Sequence, residues 1–562
     1  MGEETNTLPG SSPIETHSRQ SHHLVHTIMR PFTTPLVLSA AQVRFMLAML
    51  ATVALILFVR LIQLGSLQRE VYNDIALIYR YLWRIQGGEW PVGFVLSAGP
   101  LYHYLIMPIV GLTGINYFGL KLASVIVSLG VLLFTSAFAR RLIDHSFALL
   151  TLFVAGISSW LLIFSRLGNS QILVPLLVMA ALWLVLRVVQ AGRRVDVIAC
   201  AVVSALGLYV YPQSFVLPGV TFATLIALRL TGQSVRWTDL YWFVLVTLPA
   251  ALPFVGIVLL DPENFTSGYI GRKITTEGEA VAALVGNILR ALPAFHVQGD
   301  SVFRSNPQEL PHLDRISGVL FLLGLVFWLL PQRRRLSPVL LVPLLLLQVP
   351  AILVLSQPGE VPSASRTLGV APIAYVLVAS GLWWLLHLLR QWVSRRTAGV
   401  VIGVLLAVML LLNMQRYFQV YISNLPYRNT SLGRLIAEYA NMLPDDTTVY
   451  LVGQKWESRM PEEPSVRYVM RDPDQLQMLK PEELTCDHLL TLDSPAVLIW
   501  SFHENLPAPA LEPCQDWLPV QLYTSDRGLP IFHAAPLRPG SSAAARPRSG
   551  RAAAYPYRIL YE

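Results

Sequence analysis

Charge is what this chain has least of. Only 14% of its 562 residues are Asp, Glu, Lys or Arg, while 54% are apolar. Soluble globular chains carry about 25% charged residues, so lipid, not water, must solvate most of the length. Cysteine is scarce too, three residues in all, and none has metal-type spacing, which excludes a zinc or iron–sulfur framework. Cys200 lies inside an apolar run and reads as a packing residue. Cys486 and Cys514 lie in a polar C-terminal region, where a disulfide requires an oxidising compartment. The first 40 residues lack the apolar core and cleavage site of a signal peptide and read as a disordered cytoplasmic tail. The Ser21-His22-His23 patch within it reads as solvated tail rather than as a metal site. An internal repeat of the kind that marks many transporters is also missing.

Long apolar runs are what the chain does have. A spanning helix needs about 20 apolar residues. Runs of that order fall near 43–64, 119–139, 146–164, 172–190, 196–212, 214–230, 239–260, 315–331, 337–356, 367–389 and 398–415, which gives eleven expected spans. The basic excess, +8 in net charge, is gathered in short connectors: Arg140-Arg141, Arg193-Arg194, Arg229 with Arg236, Arg333-Arg334-Arg335 and Arg395-Arg396. That clustering marks cytoplasmic loops and argues against a nucleic-acid partner. The clusters fall in every second connector, so the N-terminus is expected inside and everything after residue 416 outside. Pro100 to Leu112 is apolar but only about 13 residues long, short of a bilayer, and a crossing there would flip every later arginine cluster. It reads as an interfacial helix with Tyr102, His103 and Tyr104 at headgroup depth.

The expected fold class is therefore an all-α polytopic membrane protein of about eleven helices with a small C-terminal extracytoplasmic α/β domain. Its parts are a tail (1–42), a membrane domain (43–415) with large outer loops at 65–119 and 261–314, the α/β domain (416–537) and a low-complexity end (538–562). The α/β reading rests on a helical pattern near 431–443 and on β-like runs at Thr447–Val452 and Ala496–Trp500. The first outer loop carries Asp74 just beyond the first span, ahead of a helix with Tyr79, Tyr81 and Trp83.

Several short motifs recur in order: Asn73-Asp74-Ile75-Ala76-Leu77, Gly87-Gly88-Glu89-Trp90-Pro91, Gly99-Pro100-Leu101-Tyr102-His103-Tyr104, Gly114-Ile115-Asn116 and Phe164-Ser165-Arg166-Leu167-Gly168-Asn169. Fainter ones come later in the chain, at Gly299-Asp300-Ser301, Pro311–Asp314 and Ser365–Gly369. Together they resemble the C-type glycosyltransferase superfamily over roughly residues 45–415. More narrowly, the chain is similar to dolichyl-phosphate-mannose protein mannosyltransferases and bacterial aminoarabinose or lipid-sugar transferases. The resemblance implies an inverting transfer of one sugar from a polyprenyl-phosphate carrier to an acceptor hydroxyl at the outer face, with Asp74 as the catalytic base. Protein, lipid and cell-envelope glycan all stay open as acceptor, and a bacterial inner membrane is the expected location. Three departures from the family pattern stand out. Asn73 replaces a first acid, Ser97-Ala98-Gly99 replaces a phosphate-holding lysine neighbourhood, and Asn169 replaces a second acid. The last argues against a carboxylate-bound metal, so no metal or other cofactor is expected.

Each candidate also has a plainer reading. Asp74 suits a helix cap. Arg166 is either a snorkelling anchor or a phosphate ligand, and Arg366, in a Pro/Ser-rich outer loop, has the same alternatives. Arg272 and Lys273 touch either lipid headgroups or the carrier phosphate. Tyr102 and His103 are the interfacial candidates for substrate contact. Asp300 and Arg304 read as paired loop scaffolding, His296 and His312 as loop residues, and Arg60 and Lys121 as snorkelling residues. The alternative to an enzyme is a polytopic lipid or glycan flippase. Such proteins place ionisable groups at mid-membrane, whereas here the candidates lie in outer loops.

Overall fold

The computed structural model describes residues 39–69, 73–95, 97–266, 268–275, 278–307, 309–425, 429, 432–452, 463–467, 469–502, 507–524 and 530–537. The expected tail, its histidine patch and the low-complexity end fall almost wholly outside the described residues. Among the described residues seven helices are long and apolar enough to cross a membrane: Ala40–Leu61, Tyr117–Leu142, Ser170–Ala191, Pro212–Leu230, Trp237–Leu260, Leu368–Trp392 and Arg395–Asn424. A bent pair, His145–Gly156 and Ser159–Ser165, makes an eighth if it counts as one span.

The remaining three of the eleven expected spans are helical but short or interrupted. Arg194–Leu206 has 13 residues and stops before Gly207 and Pro212. Arg315–Leu329 has 15 residues and ends just before Pro331. Pro338–Leu346 has 9 and is followed by Val349–Ile352. At about 1.5 Å per residue none reaches the ~30 Å of a hydrocarbon core. The apolar runs were legible, but glycine and proline end the helices inside them. The bend of 66° in the broken pair has a similar local cause. Ser158 leaves the helical conformation and its Oγ accepts from Leu161 N at 3.1 Å, so a new helix starts there.

The helices that position the site are, in chain order, α1 Ala40–Leu61, α2 Asn73–Gln86, α3 Pro100–Thr113, α4 Tyr117–Leu142, α5 His145–Gly156, α6 Ser159–Ser165, α7 Tyr269–Ile274, α8 Arg315–Leu329 and α9 Ala371–Trp392. One apolar core runs from Ile56 to Leu425. Its tightest crossing is between α8 and α9, where backbone meets backbone. A Cβ on Gly324 would lie 1.9 Å from Leu377 O, and one on Gly381 would lie 2.0 Å from Leu320 O. Small residues permit such approach in membrane helices, and Trp328 Nε1 locks it by donating to Ser380 Oγ at 2.9 Å. Gly381→Ala is expected to force the pair apart and cost about 1–3 kcal/mol, read as a lower unfolding temperature in detergent.

The C-terminal region forms a five-stranded sheet: β1 Thr448–Val452, β2 Leu476–Leu479, β3 Ala496–Ser501, β4 Gln521–Thr524 and β5 Pro530–Leu537. Its order is β2-β1-β3-β5-β4, with β1 parallel to both β2 and β3 and the last two strands antiparallel. All six residues of β3 are buried, as a central strand covered on both faces requires. One face packs on α10 (Leu432–Ala440) through Leu435, Ile436 and Tyr439. The other packs on Leu484, Leu489, Leu511 and Leu518. A short helix, α11 (Glu463–Arg467), packs against α2. Cys200 is buried and free, and Cys486 is disulfide-bonded.

Candidate active site

The helix α2 forms because Ile75, Ile78, Tyr79 and Leu82 repeat at helical spacing, and all four are buried. Asp74 comes one residue before that stripe and is left half-buried in the first turn. Negative charge there suits the helix dipole. Among the described residues no amide hydrogen bonds its carboxylate, which leaves the capping reading without support.

Asp74 faces a cleft of about 110 Å³ whose lining also includes Leu167, Asn169, Gln171, Tyr211, Arg304, Glu360, Ser363, Ser365 and Arg366. The fold thus joins a carboxylate from the first turn of α2 to a guanidinium from the loop before α9. Tyr211, in the same lining, feels both charges. Its Oη accepts from Gln171 Nε2 at 3.2 Å. The volume is below the ~300–1,000 Å³ of sites that enclose whole small molecules, so it suits a headgroup-sized piece of a larger ligand.

Arg366 bonds Glu360 through Nη2, and Lys273 Nζ reaches the other oxygen of Glu360 at 3.0 Å. The side chains of Arg366, Lys273 and Glu360 are 16%, 19% and 31% exposed. Burial alone would raise the Glu360 carboxyl, but Arg366 and then Lys273 outweigh it and hold it below the usual range. Lys273 moves down as well. The two directions are consistent, because Glu360 faces two cations whereas Lys273 is lowered by burial and by the nearby Arg366 and Arg272, against its single carboxylate. Lys273 also bonds Gln357, and Leu355 N donates to Lys273 O at 2.9 Å, so α7 is fastened to the 355–366 loop. Arg272, next in line, is exposed and off the cleft.

Asp300 scaffolds this loop, but through amides rather than through the expected pairing with Arg304. Its oxygens accept from Val302 N and Ala364 N, each at 2.8 Å. Burial pushes its carboxyl up to about 6, against those bonds and Arg366. A carboxyl raised in the folded state contributes stability that is fully present below its unfolded value and is lost as pH rises through about 6. The unfolding-temperature gap between the wild type and Asp300→Asn should therefore widen, in favour of the wild type, as pH falls from 7 toward 4.

Other expected site residues lie elsewhere. Residues 102, 106 and 110 share the inner face of α3, so Tyr102 is fully buried, and His103 beside it is buried as well. Tyr102 Oη pairs with Ser124 Oγ at 2.9 Å. His103 hydrogen bonds Gly99 O and stacks on Tyr81 with ring centroids 4.0 Å apart. Burial lowers its imidazole to about 4, so it is uncharged at neutral pH. Arg166 is 1% exposed and not on the cleft. Arg60 and Lys121 do not snorkel either, being 0% and 1% exposed. Arg60 instead donates to Ser128 Oγ at 3.2 Å and Gly156 O at 2.7 Å, and Lys121 to the carbonyls of Leu64 and Leu67 beyond the end of α1. Sequence reasoning passed over Gln171, Tyr211 and Glu360, isolated polar residues in apolar or loop surroundings. The one available signal was Glu360, the single acid in the Pro/Ser-rich stretch 356–366.

A model of the dolichyl-phosphate-mannose-protein mannosyltransferase family matches residues 97–257. Among solved structures, ArnT from Cupriavidus metallidurans in the apo state superposes with a TM-score of 0.57 at 14% identity, over 88% of this chain and 98% of that one. The fold is that of the C-type glycosyltransferases. The same ArnT bound to undecaprenyl phosphate gives 0.57 at 15% identity, over 89% and 99% of the two chains. No curated protein matches the sequence significantly. Within this C-type fold the family match spans Asn169, Gln171 and Tyr211 of the cleft, while Asp74, Glu360 and Arg366 lie outside it.

Proposed function

We propose that the protein is an inverting glycosyltransferase that moves one sugar from a polyprenyl-phosphate carrier to an acceptor hydroxyl at the extracytoplasmic face. The observation that carries this reading is that Asp74 and Arg366 line one cleft in a C-type fold. The Asp74 carboxylate takes the acceptor proton as the hydroxyl oxygen attacks the anomeric carbon. The bond from that carbon to the phosphate oxygen breaks on the opposite side, and its electron pair leaves with the phosphate. Attack opposite the leaving group inverts the centre. Arg366 neutralises the departing phosphate, as guanidinium groups do well, with Lys273 held behind it by Glu360. The likeness to an ArnT structure bound to undecaprenyl phosphate supports a lipid-phosphate carrier.

Metal independence belongs to the proposal. Among the described residues no three His, Cys, Asp or Glu side chains gather as metal ligands. Transfer is expected to persist undiminished in excess chelator, and loss restored by a divalent ion would refute that part. The enzyme itself is tested by incubating purified protein with radiolabelled polyprenyl-phosphate sugars and candidate acceptors. Labelled acceptor with inverted linkage supports the reading. Lipid scrambling without transfer would replace it with a flippase.

A further inference from the structure

The segment that leaves α1 and leads toward Asp74 is held by side chains to an unusual degree. Arg166 Nη1 donates to Val59 O at 2.8 Å and Arg60 O at 3.2 Å, and Nη2 donates to Ile62 O at 2.7 Å. Lys121 Nζ donates to Leu64 O at 3.2 Å and Leu67 O at 2.5 Å. Asn429 donates to Ser66 O at 3.0 Å and accepts from Arg69 N at 3.1 Å. Gln68 is gripped between two tyrosines: its Nε2 donates to Tyr421 Oη at 2.9 Å and its Oε1 accepts from Tyr417 Oη at 3.1 Å.

Ordinary helix-end chemistry does not require this much. A helix terminus leaves four carbonyls unsatisfied, and a cation there suits the dipole, but Leu64, Ser66 and Leu67 lie past the helix. The backbone is strained as well. Gln63 and Gln68 both have φ of 51°, in the left-handed region. Non-glycine residues stay there only where surrounding contacts over-determine them. Among the described residues neither Arg166 nor Lys121 pairs with a carboxylate, and both are buried. Arg166 is further enclosed by the rings of Tyr417 and Phe418, 5.3 Å and 5.9 Å from its guanidinium carbon.

The same network reaches the cleft from the other side. Tyr421 Oη donates to Arg304 O at 2.9 Å, and Leu167, next to Arg166, lines the cleft beside Asp74. We infer that Arg166 and Lys121 are positioning residues: they hold the 59–67 carbonyls so that Asp74 stands at the cleft, and they contact neither donor nor acceptor. The inference rests on the reading of Asp74 as the base.

Two measurements test it, one independent of turnover. In the full chain, Asp74→Cys is labelled with a hydrophilic maleimide, alone and combined with Arg166→Met or Lys121→Met. Release of the strap should change the labelling rate at least fivefold, and Arg166→Lys should restore it in part because an ammonium still donates to carbonyls. Equal rates in all backgrounds overturn the inference, whether or not the protein proves to be a transferase. With Asp74 intact, Arg166→Met should lower kcat at least tenfold while the Kd for undecaprenyl phosphate stays within twofold. A parallel loss of undecaprenyl phosphate binding would make Arg166 a phosphate ligand instead. Should Arg166→Met fail to fold, Tyr421→Phe carries the same kcat-against-Kd test through the milder loss of one hydroxyl, with its bonds to Gln68 and Arg304.

Discussion

Asp74→Asn is expected to abolish sugar transfer, by a factor of about 10²–10⁴ in kcat, while membrane expression and unfolding temperature stay near wild type. The asymmetry comes from its surroundings. Asp74 is half-buried and lines an open cleft, so the amide that replaces its carboxylate stays within reach of water. The stripe that folds α2 begins at Ile75 and is untouched. Donor binding should survive as well, because the phosphate end is assigned to Arg366 of the same cleft. The checks are initial rates with labelled donor and undecaprenyl phosphate binding on the same preparation. Near-normal transfer by the variant would remove the proposed base.

The second large effect is expected at Arg366. Arg366→Gln should weaken donor binding about 10–100-fold, the range of one lost charge-assisted hydrogen bond of about 1.5–3 kcal/mol. The KM for donor should rise by more than kcat falls. The cluster sharpens this expectation, since the negative charge of Glu360 is then cancelled only by Lys273 and the cluster falls from a net +1 to zero where a phosphate must sit. Glu360→Gln in the same background should recover part of the lost affinity by removing that charge. Binding that is unchanged in Arg366→Gln would place the carrier phosphate elsewhere.

Much of the architecture was legible because burial in lipid leaves a coarse record. All eleven apolar runs are helical, and the C-terminal strands at 448–452 and 496–501 fall where alternation and β-branched residues put them. Three runs are cut short and one is bent, at Gly207, Pro212, Ser158, Pro331 and Pro350, because breakers act within a few residues while hydropathy averages over twenty. The site was half legible. Asp74 and Arg366 were both singled out and line one cleft, but Lys273 lies behind it on Glu360, and Arg272, Tyr102, His103 and Arg166 are off it.

By itself the sequence determined that this chain lives in lipid, that it is helical there, and that a carboxylate comes just after its first span. Composition and period suffice for that, since transfer free energy is summed over whole segments and survives any exchange of neighbours. Only the tertiary structure decided which cation faces that carboxylate. A buried arginine at position 166 and a cleft-lining one at position 366 have the same side chain and similar loop-end settings. What separates them is whether backbone carbonyls or an open cleft lie within about 3 Å, and that depends on helices far away in the chain.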